Sequence, residues 1–114
     1  MIKLRIEHLP FEALNLIGSM ACVDAQMHGL WNKVGSLNEG HDRHACAVLV
    51  KEEAEEAMLA ADDRRHYAEE LADVVIMALS SAGYLGIDIA AEVKRKMLIN
   101  QNRPFMHGKV EAHA

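Results

Sequence analysis

Aromatic residues are scarce in this chain, at 4% of 114 residues: one Trp, two Tyr and two Phe. A β-sandwich or barrel core rests on aromatic and β-branched side chains, so that class is disfavoured. Proline occurs twice, and long helical stretches therefore run without a breaker. Only two cysteines are present, Cys22 and Cys46, with no metal-ligand spacing between them. They read as small buried thiols of a reducing compartment. Positive charge is in deficit, with 12 Lys and Arg against 17 Asp and Glu and a net charge of −5. That balance argues against general nucleic-acid binding or attraction to an anionic membrane. The longest mostly apolar run, about seventeen residues, contains Asp73, two serines and two glycines. It is a poor membrane span. The N-terminal MIKLRIEHLP has no long apolar core and is not a signal peptide. The expectation is a single cytoplasmic domain over residues 1–114.

The composition that remains is 51% hydrophobic, carried by Ala, Leu, Val and Met, which suits packed helices. Residues 1–9 alternate loosely and read as a short extended arm. Pro10 opens a first helix to about His28, with Leu16, Met20, Val23 and Met27 recurring at helical spacing. Gly29 is a stop, and 30–40 reads as a loop. Asp42 is expected to cap a second helix running to about Ala61. Asp62 and Asp63 form a turn before a third helix, Arg64 to about Tyr84. Gly86 ends it, and Asp88 caps a fourth helix to about Asn102. Residues 104–114 read as an irregular tail. The expected fold is all-α, a four-helix bundle.

Asp73 is the only charge between Leu71 and Ile87. A carboxylate in such a run is costly unless something pairs with it. Glu70 lies one turn earlier on the same face, and Glu53 and Glu56 repeat the three-residue spacing on the preceding helix. A helical wheel puts Glu53 and Glu56 with Cys46, Leu49, Val50, Ala57 and Ala60. Glu55 falls on the opposite side, as an ordinary exposed pair with Lys51. The third helix is apolar almost all round, with Leu71, Val75, Ala78 and Ala82 on one face and His66, Glu70, Asp73, Met77, Ser80 and Tyr84 on the other. Four helices of one small chain do not easily enclose it, so a second subunit is expected to complete the bundle.

Solvated faces account for most acidic runs, and Glu52 and Glu55 are read that way. Glu53, Glu56, Glu70 and Asp73, taken as a matched set on successive helices, form instead a candidate divalent-metal site. An all-oxygen donor set suits Mg²⁺, with Mn²⁺ as substitute, better than zinc. Such ions keep open positions for water and phosphate oxygens. His41 and His44 lie near a helix start and are read as exposed or capping residues.

These residues resemble a known family. EEAEE at Glu52–Glu56 followed by EELAD at Glu69–Asp73 is similar to the ExxE…ExxD signature of the all-α nucleoside triphosphate pyrophosphatases, MazG-like branch. The segment from Lys94 to Lys109 resembles the NxxRPxxHGK tail of that branch through Asn100, Arg103, Pro104, His107, Gly108 and Lys109. The resemblance implies hydrolysis of a nucleoside triphosphate to the monophosphate and pyrophosphate, with Glu53, Glu56, Glu70 and Asp73 holding Mg²⁺ and acting in catalysis. A sensing bundle without catalysis, and a dUTP/dCTP- or phosphoribosyl-ATP-type enzyme, are the alternatives. Lys96, Asn100, Arg103, His107 and Lys109 are candidate phosphate-binding residues. Trp31, the only tryptophan, either stacks on the base or anchors the bundle. The resemblance also implies a homodimer or homotetramer.

Overall fold

The computed structural model describes residues 5–34 and 38–103. Among them are four α-helices and no strand: α1 Glu12–Met27, α2 Glu39–Leu59, α3 Arg64–Leu85 and α4 Ile89–Gln101. Short 3₁₀ turns cover Ile6–His8 and Leu30–Lys33. The end of the expected arm is therefore a turn, and Ile6 is buried in it.

Local chemistry explains most boundaries. Gly29 follows α1 at φ 77°, in the left-handed region that a side chain would resist. Asp63 caps α3 by accepting from the backbone N–H groups of Arg65 and His66 at 3.0 and 3.2 Å. Gly86, at φ 69°, ends α3, and the Ile87 N–H closes back on the Ala82 carbonyl at 2.9 Å. Asp88 caps α4 through the Ala91 N–H. The start of α2 departs from expectation. Asn38, not Asp42, is the cap, accepting from the His41 N–H at 3.0 Å. Asp42 is consequently one turn inside the helix and buried.

The central element is α3, packed against α1 on one side and α2 on the other, while α4 packs on α1 and the Ile6–His8 turn. Glycines permit the α1–α3 approach: a Cβ at Gly83 would stand 2.8 Å from the Gly18 carbonyl oxygen, and one at Gly18 would stand 2.7 Å from that of Leu79. Asn15 ties α1 to the start of α4, donating to Asp88 Oδ1 and accepting the Ala90 N–H, both at 2.9 Å. The hydrogen bond from Asn15, and then that from Ala91, hold the Asp88 carboxyl below its ordinary value.

The enclosed core is small. Trp31, Val34 and Cys46 form its densest part, with Cys22, Leu49 and Tyr84 against it. Both cysteines are free, as expected. The apolar stripe of α1 faces outward instead: Leu16, Met20, Val23 and Met27 are 64, 67, 59 and 79% exposed. Leu71, Val75 and Ile76 on α3 are about half exposed, and Met58 and Leu59 at the end of α2 are more so. The radius of gyration is 16.4 Å, against roughly 13 Å for a compact chain of this length. One copy does not cover its own apolar surface. No helix among the described residues is long and apolar enough to cross a membrane.

The glycine seam generates a direct prediction. Gly83→Ala sets a methyl against backbone that no rotamer change relieves, and chemical denaturation should show a loss of about 1–3 kcal/mol.

Candidate functional site

The site is built by the antiparallel pairing of α2 and α3. Both helices are long enough to carry acids well inside their ends, and their short connection brings those acids to the same level. One carboxylate oxygen each from Glu53, Glu70 and Asp73 lies within 4.8 Å of the other two. Oxygens around one Mg²⁺ at about 2.1 Å can be no more than about 4.2 Å apart. The three groups are thus within an ångström of a chelating arrangement. Hard oxygen donors at this spacing fit such an ion, and a buried, unsatisfied acceptor among them strengthens the fit: Glu70 Oε2 has no hydrogen-bond partner among the described residues. Its other oxygen stands 3.3 Å from His66 Nε2.

Glu56, the fourth expected ligand, is exposed and outside the set of three. It stands beside Glu53 and bears on its proton. Burial, the Glu56 charge, the Asp73 charge, a hydrogen bond to Glu56 and finally the Glu70 charge push the Glu53 carboxyl above its ordinary value of 4.5. The sequence placed the buried charge at Asp73. In the structure Asp73 is exposed and Glu70 is the more enclosed acid, because the outer face of α3 is uncovered in a single copy. Glu55 is exposed as expected.

The candidate phosphate-binding residues are not joined to these acids within one copy. Lys96 and Arg103 are exposed and Asn100 is half-buried on α4, a helix that packs on α1 and not as a layer on α2. His107 and Lys109 lie outside the described residues. Trp31 takes the anchoring role. It is 4% exposed, donates from Nε1 to the Cys22 carbonyl at 3.0 Å, and stacks on Tyr84 with ring centroids 4.4 Å apart. A face that sequence offered to a base is occupied by a tyrosine ring. The sequence placed His66 on the Glu70 face of α3 without giving it a role, although its four-residue spacing from Glu70 was visible. Asp42, expected as a cap, is buried, with Oδ1 3.7 Å from His41 Nδ1 and without a hydrogen-bond partner among the described residues.

The raised Glu53 carboxyl has a consequence for stability. The folded state holds that proton more tightly than the unfolded chain. The fold is therefore favoured at low pH, and a penalty grows as pH rises above 4.5. Without divalent ion, Glu53→Gln should melt a few degrees above wild type, on the order of 1–4 °C, at neutral pH. Acidification to about pH 4 should narrow the gap, and Mg²⁺ should reverse it by stabilising only the wild type.

Comparison with known proteins places these residues in a family. The phosphoribosyl-ATP pyrophosphohydrolase family matches residues 34–96, more than half of the chain, a span that holds all four acids. The dATP/dGTP diphosphohydrolase of Cyanophage S-2L is 39% identical over 64 residues, covering 56% of this chain and 61% of that protein. The matched stretch thus spans about three-fifths of the relative's length. No solved structure matches. With the acid pairs on adjacent helices inside the matched span, the chain belongs to the phosphoribosyl-ATP pyrophosphohydrolase family, within the MazG-like all-α nucleoside triphosphate pyrophosphatases.

Proposed function

We propose that this protein hydrolyses (deoxy)nucleoside triphosphates between the α- and β-phosphates, releasing a monophosphate and pyrophosphate, with Mg²⁺ (or Mn²⁺) as cofactor. The observation that carries this reading is the convergence of Glu53, Glu70 and Asp73 in a member of this family. A divalent ion held there would offset triphosphate charge and ease the deprotonation of water. The three acids bind and orient it, and Glu56 completes the set if its side chain turns inward. Water attacks the α-phosphorus, the bond to the bridging oxygen breaks, and pyrophosphate departs with that oxygen. Glu53 or Glu56 takes the water's proton.

The family description and the matched relative both name purine nucleotides, which supports a purine preference. House-cleaning of the cytoplasmic nucleotide pool is the role that fits such an activity. The uncovered faces of α1 and α3 support a homodimer or homotetramer. Pairing them would also let α4 of one copy, with Lys96, Asn100 and Arg103, approach acids of another.

A nucleotide panel assayed for pyrophosphate release, with and without Mg²⁺, tests the activity. Turnover should require the ion and favour purines; saturable ion binding with no turnover of any nucleotide overturns the catalytic reading. Asp73→Asn should lower kcat by about 100-fold or more and weaken ion binding without unfolding the chain, whereas Glu55→Gln should stay within about twofold of wild type. For the assembly, sedimentation should give a dimer or larger species. Val75→Glu, harmless on a free surface, should dissociate it.

A further inference from the structure

Two side-chain contacts of the same four-residue spacing stand side by side at the start of α3, the second an ion pair only when its imidazole is protonated. Arg65 Nε is 3.2 Å from Glu69 Oε1, and His66 Nε2 is 3.3 Å from Glu70 Oε1. The first is an ordinary surface pair, with side chains 83% and 56% exposed and no acid cluster at its end. The second differs. The Glu70 side chain is only 19% exposed, belongs to the converging acids, and has its second oxygen buried without a partner among the described residues. The imidazole thus contacts one oxygen of Glu70, and the buried one is the other.

We propose that His66 is a positioning residue for the acid cluster, holding Glu70 so that its buried oxygen is presented toward Glu53 and Asp73 for a divalent ion. This rests on the metal-site reading above. A glutamate head group turns about three side-chain torsions, and like charge from Glu53 and Asp73 drives it outward toward water. A contact on the other oxygen opposes that swing. The scaffold for the contact is rigid, because Asp63 caps the backbone N–H of His66 itself and one helical turn sets the imidazole over Glu70. Groups behind a ligating carboxylate fix its orientation, and their removal typically weakens ion binding by 10–100-fold. An exposed helix pair with no such role contributes only a few tenths of a kcal/mol to stability and nothing to ion affinity.

The adjacent pair provides the control. The full chain is titrated with Mn²⁺, free ion being read by electron paramagnetic resonance, in wild type, His66→Ala, His66→Gln and Arg65→Ala. The apo melting temperature of each is recorded. His66→Ala should raise the Mn²⁺ dissociation constant about tenfold or more. His66→Gln, whose amide can donate to the same oxygen, should recover to within about threefold of wild type. Arg65→Ala should bind as wild type, and all apo forms should melt within about 2 °C of one another. Wild-type affinity in His66→Ala overturns the proposal. So does an equal loss in Arg65→Ala, which would mark a general charge effect, or an absence of recovery in His66→Gln. Nitrogen hyperfine coupling from a histidine bound directly to Mn²⁺ would overturn it as well. Wild-type protein that binds no Mn²⁺ would bring down the metal-site reading together with this one, so the two failures are told apart.

Discussion

Like-charge repulsion among acids held close together is the constraint on which this structure turns. Two unit charges at such a spacing repel by roughly 1 kcal/mol in water and several times that near a protein surface. Glu53, Glu70 and Asp73 nevertheless converge to within 4.8 Å, and Glu56 adds a fourth charge beside Glu53. A fold that served only stability would spread these groups into solvent. Holding them together requires two firmly paired helices, and a ligand of opposite charge would relieve the repulsion, which is what supports the proposed metal site.

Everything that positions the cluster follows from α3. It packs on α1 through a glycine seam and on α2 through the short connection capped by Asp63. Its N-terminal half carries the acids and its C-terminal half carries the core, where Tyr84 stacks on Trp31. The price of a helix used on every face is an open outer surface. Leu71, Val75 and Ile76 stand half exposed beside the uncovered stripe of α1. The same arrangement keeps the cations of α4 away from α2, because α4 packs on α1.

The family relationship supports phosphoanhydride hydrolysis as the proposed chemistry and leaves the nucleotide open. Its matched span contains the acids and ends at Lys96. The buried contacts of Trp31 with Cys22 and Tyr84 are those of a structural anchor.

The helices themselves were legible in the sequence, because local chemistry sets them. Gly29, Gly86, Asp63 and Asp88 end or cap helices by hydrogen bonds made within a few residues, and the matched spacing of the acids predicts which share a face. Asn38 replaced Asp42 as a cap because both can play that part and only packing against α3 decides which is buried. Tertiary structure alone decided that Glu70, not Asp73, is the enclosed acid, that Glu56 stands outside the converging set, that the α1 stripe faces outward, and that α4 lies away from the site. Helical periodicity tells which side chains share a face. It does not tell which neighbour, if any, that face will meet, since this depends on contacts between residues far apart in the chain.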